Sequence, residues 1–383
     1  MADPFAGIPR VLLVTNDFPP RIGGVQQYEW NLIRQLPADR VAVLAPSWPG
    51  WRERDREQAF AVHRWPARFM WPTSDLARRI RSLVREHDSD VVVFGQGLPL
   101  PLIGPGLSAR GVPYVVLTHG VELWMSRVPA SRPVLARALG AASEITATSR
   151  YTAAAVRRAV PSGVEVTVLT PGVDERRFSP RLDGGAVRAS LGLEDRKVVL
   201  CVSRLVARKG QDILIRGMAA LREMVPEAAL VVAGGGPYRS RLEALARESP
   251  PGSVVFGGEV SDAELPSWYA ACDVFAMPCR SRWGGLEVEG FGIVFLEAAA
   301  SGKAALAGRS GGAEEAVVDG ETGLLVEARE PKAVALAVAR LLRHRDLASA
   351  MGTAGRARVE REFAWPRKAE ALARILRRAA DSR

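Results

Sequence analysis

Two glutamates eight positions apart, Glu289 and Glu297, sit in the stretch LEVEGFGIVFLEA, residues 286–298. Between them a Gly-Phe-Gly break precedes IVFLEAAASG, a composition that predicts a helix. The break offers the amides of Phe291, Gly292 and Ile293 at a helix start, where unpaired N–H groups and the helix dipole attract anions. At about 1.5 Å of rise per residue, the two acids stand at most about 12 Å apart. Taken singly, each acid reads as part of a solvated helix face. Taken together, acids at the ends and amides between them suit a long anionic ligand that carries hydroxyls at both ends.

Cations for such an anion follow the strand-like run KVVLCVS (197–203), in SRLVARKG. There Arg204 can fork onto two phosphate oxygens, and Lys209 supplies a point charge. With them, a sugar–diphosphate–ribose chain becomes the best fit: Glu289 on hexose hydroxyls, the amides on diphosphate, Glu297 on ribose hydroxyls. GGGPYR (234–239) also lets backbone approach a ligand, but it is no GxGxxG fingerprint and does not open the first strand–helix unit, which sets an NAD reading aside. Near the N-terminus, NDFPPRIGGVQQY places Gly23 and Gly24 at the start of an amphipathic helix, with Asp17 and Gln27 beside them. His119 opens HGVE directly after YVVLT (114–118), in a loop at a strand's carboxyl end.

The elements that position these groups alternate along the whole chain. Apolar runs at 10–15, 41–45, 91–94, 114–118, 144–148 and 164–169, then 197–203, 229–234, 253–258, 273–277, 304–307 and 323–327, lack in-out alternation and read as strands covered on both faces. Helical spacing between them predicts an α/β chain of two Rossmann-like, doubly wound domains. The Pro- and Gly-rich segment 169–185 separates them. This gives one domain at 1–170, a second at 171–360, and a closing helix at 361–383 that packs back on the first. In such sheets ligands gather at strand carboxyl ends. Asp88-Ser89-Asp90 looks like a metal-holding pair but precedes a strand, at the opposite edge.

Three cysteines without a CxxC pair and four scattered histidines predict neither disulfides nor a metal site, and point to a reducing cytoplasm. No secretory signal is visible, and the uncharged stretch 91–109 is broken by prolines and glycines. The net charge of +10 admits an anionic substrate, an anionic membrane or nucleic acid without choosing among them. One helix, DLARRIRSLVREH (75–87), sets Leu76, Ile80, Leu83 and Val84 on one face and Arg78, Arg81 and Arg85 on the other, after a stretch holding Trp51, Trp65, Phe69 and Trp71. An ordinary packed surface helix and a membrane-resting helix both fit it.

EGFGIVFLE matches the Glu-x7-Glu motif of retaining GT-B glycosyltransferases, SRLVARKG resembles their phosphate motif, and FPPRIGGVQ resembles their N-terminal glycine loop. The similarity runs from about residue 10 to about residue 370. VLLVTNDFPPRIGGVQ and MPCRSRWGGLEVEGFGIVFLEA more narrowly resemble the actinobacterial phosphatidylinositol mannosyltransferases, in particular the branch that adds a second mannose, in α-1,6 linkage, from GDP-mannose. That resemblance implies two domains facing a central cleft, 1–170 binding the acceptor near Asp17 and Gln27 and 171–360 binding the nucleotide sugar, and a retaining hexosyl transfer without metal or cofactor. Arg204 and Lys209 stabilise the leaving nucleotide, His119 touches the hexose, Glu289 orients it, and Glu297 binds ribose. Gly23 and Gly24 line the phosphate side, while Glu259, Val260 and Ser261 lie in the loop facing the base. The implied partners are GDP-mannose, a phosphoinositide glycolipid and an anionic membrane surface, with no nucleic acid. The implied place is the cytoplasmic face of the cell membrane, with peripheral attachment through Arg78, Arg81 and Arg85. The competing readings are a same-fold transferase with another nucleotide sugar or a soluble acceptor, a sugar-nucleotide epimerase, and a non-catalytic basic binder.

Overall fold

The computed structural model describes residues 3–21, 23–120, 122, 125–126, 128, 130–161 and 163–382. The chain divides into two compact units: residues up to Gly172 together with the segment from Trp365, and Val173–Ala364.

The first unit carries β1 (Val11–Val14), β2 (Val41–Pro46), β3 (Ala61–Trp65), β4 (Val91–Phe94), β5 (Tyr114–Thr118), β6 (Glu144–Ala147) and β7 (Val166–Val168), a parallel sheet in the order β3-β2-β1-β4-β5-β6-β7. Its central strands are apolar runs because both faces are covered; every residue of β1, β4 and β5 is buried. β3 escapes sequence reading for the converse reason. It is an edge strand whose AVHRW stays half-exposed and carries His63 and Arg64.

The second unit carries β8 (Lys197–Val202), β9 (Ala228–Ala233), β10 (Val254–Gly258), β11 (Val274–Met277), β12 (Ala305–Gly308) and β13 (Gly323–Val326), in the order β10-β9-β8-β11-β12-β13. All its pairings are parallel too. Two doubly wound parallel sheets are the fold class that the alternating pattern predicts. In each, strand order reverses once, between β1 and β4 and between β8 and β11. Loops diverge at the carboxyl ends of such a reversal and leave room for a ligand.

Two helices of the first unit bear on function. Ser74–Glu86 starts at Thr73, whose hydroxyl accepts from the Leu76 amide at 3.2 Å, and buries Leu76, Ile80 and Leu83 against the core of β1 and β4. Trp365–Asp381 buries Trp365, Ala369, Leu372, Ile375 and Leu376 with Leu13, Tyr28 and Val93. Each large aliphatic side chain so buried contributes about 1.5–3 kcal/mol. Trp365 meets Tyr28 edge-on at 6.0 Å, and Lys368 Nζ donates to Thr170 Oγ1 at 2.7 Å.

Candidate functional site

In the second unit, the loop after β8 turns through a 3-10 turn, Ala207–Lys209, into the helix Gln211–Met224. Gln211 fastens this loop, its side-chain amide donating to Ser203 Oγ at 2.9 Å and to the Arg204 carbonyl at 3.2 Å. The turn sends Arg208 and Lys209 together toward Glu289. Arg208 Nη1 and Lys209 Nζ each lie 2.7 Å from Glu289 Oε2, and Glu289 is only 6% exposed. Burial alone would push its carboxyl up, but the Lys209 ammonium and the Arg208 guanidinium outweigh that and hold it below the ordinary carboxylate range. Arg204 is exposed and, among the described residues, makes no ion pair. Arg208 is thus the cation that motif reading missed. Its type was visible beside Lys209, but which arginine faces the acid depends on the turn.

Glu289 leads into the helix Ile293–Ala300 through Phe291, which is buried, and Gly292 at φ 90°. A side chain at Gly292 would meet the Phe295 ring at 2.6 Å, so both conformation and space call for glycine. No side chain caps this helix start, so the amides at Phe291, Gly292 and Ile293 have no intrahelical acceptor. Glu297 lies one turn in. It accepts the Tyr269 hydroxyl at 2.7 Å, and burial pushes its carboxyl up to about 7. Beyond β10, Glu259 and Ser261 are exposed and Val260 half-buried. Ser261 caps the turn that follows, accepting the Glu264 amide at 3.3 Å while its own amide donates back to the Glu264 carboxylate at 3.3 Å.

In the first unit, groups from three strand ends meet. Asp17, after β1, is buried and accepts Arg21 Nη1 at 3.1 Å and the Gln26 side-chain amide. Burial raises the Asp17 carboxyl, against the pull of Arg21 and His119. Gln26, not Gln27, is therefore the glutamine beside Asp17; Gln27 points along the helix to Asn31, 3.3 Å away. One helical step turns a side chain by about 100°, which position in the motif does not reveal. Gly24 opens the helix Gly24–Ile33 and Gly23 caps it in an extended conformation. His119, after β5, has a nearly buried side chain, with Nε2 2.9 Å from the Gly95 carbonyl and 3.4 Å from Glu29 Oε1. Glu122 organises the loop around it, accepting the amides of Gly97 at 2.9 Å, His119 at 3.2 Å and Gly120 at 2.9 Å. Neither Glu29 nor Glu122 stood out in the sequence.

The histidines are less scattered than their spacing suggests. The edge strand β3 brings His63 to His87, with the Nε2 atoms 2.6 Å apart and Glu86 adjacent, a grouping of metal-ligand types within 4.8 Å. Arg79, however, lies 3.4 Å from His63 Nδ1 and 3.5 Å from Glu86 Oε2, so a guanidinium already supplies the positive charge there. On the Ser74–Glu86 helix, Arg78 and Arg85 are exposed and Arg81 half-buried, with Arg78 3.3 Å from Asp75. The helix's apolar stripe faces the core. Beside it Trp71 is 63% exposed and meets the Phe69 ring in a tilted contact at 4.8 Å, whereas Trp51 and Trp65 are half-buried.

The chain is similar to known proteins over nearly its whole length. Residues 22–177 match the family described as Glycosyltransferase Family 4, and residues 186–358 match Glycosyl transferases group 1. The chain is 43% identical, over 96% of its length and 98% of the relative's, to the GDP-mannose-dependent alpha-(1-6)-phosphatidylinositol monomannoside mannosyltransferase of Mycolicibacterium smegmatis. It is 39% identical, over 96% and 97%, to the GDP-mannose-dependent monoacylated alpha-(1-6)-phosphatidylinositol monomannoside mannosyltransferase of Corynebacterium glutamicum. Among solved structures, Anabaena HepE in complex with UDP aligns with a TM-score of 0.81 over 96% of this chain and 99% of that one, at 21% identity, which speaks to the fold.

Proposed function

The chain belongs to the glycosyltransferase family of the GDP-mannose-dependent alpha-(1-6)-phosphatidylinositol monomannoside mannosyltransferases, and on that footing we propose that it moves mannose from GDP-mannose to phosphatidylinositol monomannoside, forming an α-1,6 linkage with retention. The observation that carries this reading is identity maintained over nearly the full length of both chains. The Arg208–Glu289–Lys209 cluster at the β8/β11 reversal supports it.

In this mechanism the bond from the mannose anomeric carbon to the GDP phosphate oxygen breaks. The acceptor hydroxyl oxygen bonds to that carbon on the same face, and its proton passes to the departing phosphate oxygen. Charge grows on the diphosphate as the bond breaks. Lys209, Arg208 and the exposed Arg204 lie at hand to stabilise it, with the helix amides near Gly292. Glu289, held ionised by its two cations, accepts from mannose hydroxyls. Glu297 takes the ribose hydroxyls, and backbone of the Glu259–Ser261 loop takes the base. The first unit contributes His119 to the hexose, Gly23 and Gly24 to the phosphates, and Asp17 with Gln26 to the acceptor.

A lipid acceptor brings the enzyme to the cytoplasmic face of a membrane. Because Leu76, Ile80 and Leu83 point inward, attachment rests on Arg78, Arg81 and Arg85 meeting anionic headgroups, with Trp71 and Phe69 at the interface. Among the described residues no helix is long and apolar enough to cross the bilayer.

The deciding assay offers GDP-mannose or UDP-glucose against phosphatidylinositol monomannoside and soluble sugars, with anomeric analysis of the product. An α-linked dimannoside lipid from GDP-mannose alone is expected; acceptor-independent change of the nucleotide sugar would sink the proposal. For the membrane part, reversing the charge of Arg78, Arg81 and Arg85 should weaken binding to phosphatidylinositol-rich vesicles without changing GDP affinity. Unaltered vesicle binding would refute that part.

A further inference from the structure

Glu29 lies on the inner face of the Gly24–Ile33 helix, 0% exposed, and among the described residues its carboxylate oxygens make no hydrogen bond of ordinary geometry, with only Thr15 and His119 as weak polar partners. Such a group is costly to bury, and an apolar residue of similar size would serve the core better. Its surroundings show where it acts. His119 Nε2 is 3.4 Å away and simultaneously 2.9 Å from the Gly95 carbonyl. Both neighbours of Nε2 are acceptors, so Nε2 carries a proton. Among the described residues Nδ1 makes no hydrogen bond. Gly95 allows this approach, since a Cβ there would lie 2.5 Å from both Glu29 oxygens and from Thr15 Oγ1.

We infer that Glu29 is a positioning residue for His119: with the Gly95 carbonyl it locks Nε2 as the N–H side of the ring, reserves Nδ1 for the bound sugar, and supplies the counter-charge that lets the ring become imidazolium. This rests on the assignment of His119 to the hexose. An imidazolium presents Nδ1–H as a donor to a sugar oxygen, whereas the neutral ring locked in this tautomer presents only a lone pair. The other groups facing the ring are Asp17 from the loop after β1, Tyr28 from the helix, edge-on at 5.0 Å, and Glu122 from the following loop. Tyr28 is held neutral by burial, and the Glu122 carboxylate is spent on three backbone amides. Glu29 is therefore the carboxylate aimed at the ring itself. Burial pushes Glu29 up to about 7, and although burial also works against a charged His119, its acidic neighbours raise the imidazole above its ordinary value.

The test follows the His119 ring proton by NMR through a pH titration, alongside the pH profile of kcat/KM for transfer from GDP-mannose to phosphatidylinositol monomannoside. Wild type, Glu29→Gln, Glu29→Asp and His119→Ala are compared, each checked for folding by thermal melt and for GDP affinity. Glu29→Gln should lower the His119 midpoint by about one to two pH units and carry the alkaline limb of the profile down with it, while Glu29→Asp restores part of both. A folded Glu29→Gln enzyme whose midpoint and profile coincide with wild type overturns the inference and leaves the role of His119 standing. Full activity in His119→Ala overturns that role and the inference with it.

Discussion

Glu289 in the second unit and Glu29 in the first are both buried glutamates at the strand-order reversal of a parallel sheet, and their surroundings drive them in opposite directions. Glu289 shares one oxygen with an ammonium and a guanidinium, and stays ionised in spite of burial. Glu29 has one imidazole at 3.4 Å, among the described residues no hydrogen bond of ordinary geometry, and a carboxyl that burial pushes up to about 7. The difference teaches that depth does not set a carboxylate's charge. Its partners do, and the proposed roles differ accordingly: a fixed anion for sugar hydroxyls, and a titrating group for a neighbouring ring.

The strongest way to break the comparison is Glu289→Gln. It keeps size and removes the fixed charge, and kcat should fall about 10²–10³-fold with GDP affinity kept; steady-state kinetics with a GDP-binding isotherm checks both. Next, Lys209→Met takes away half of the compensation. Loss of about 3 kcal/mol is expected at pH 7 by urea unfolding. The sign with pH follows from Glu289 being depressed: its stabilisation is full above the ordinary carboxylate range and is lost as pH falls through the lower folded value. The mutational loss should therefore shrink at acid pH. The smallest effect belongs to Glu297, which sharpens the contrast from within the same motif. Its carboxyl rises from 4.5 to about 7, so the folded chain binds the proton more tightly and native stability falls as pH rises through that window. Glu297→Gln keeps an acceptor for Tyr269 and should raise Tm by a few degrees at pH 8, with no gain at pH 4, read by a thermal melt at each pH.

Much of the fold was legible because strands buried on both faces must be apolar throughout; VVVF and YVVLT can hardly be read otherwise. The edge strand AVHRW was not, since its half-exposed face tolerates His63 and Arg64. The acids of EGFGIVFLE stood out through their spacing about a glycine break. Within VARKG, however, nothing distinguished Arg208 from a solvated arginine, and Glu29 in VQQYEWNL reads as an ordinary acid on an amphipathic helix.

What the amino-acid sequence determined on its own was local: which runs are strands, where a helix begins beside glycine, and which charge types follow each strand. Family membership came the same way, because a shared motif is a string of residues. The tertiary structure decided which charges meet. β3 carries His63 to His87, a 3-10 turn sets Arg208 beside Lys209, and the glycine after β4 lets Glu29 reach His119. A carboxylate's pKa depends on distances of a few ångströms between residues that lie tens of positions apart, and only the folded chain brings those groups within reach.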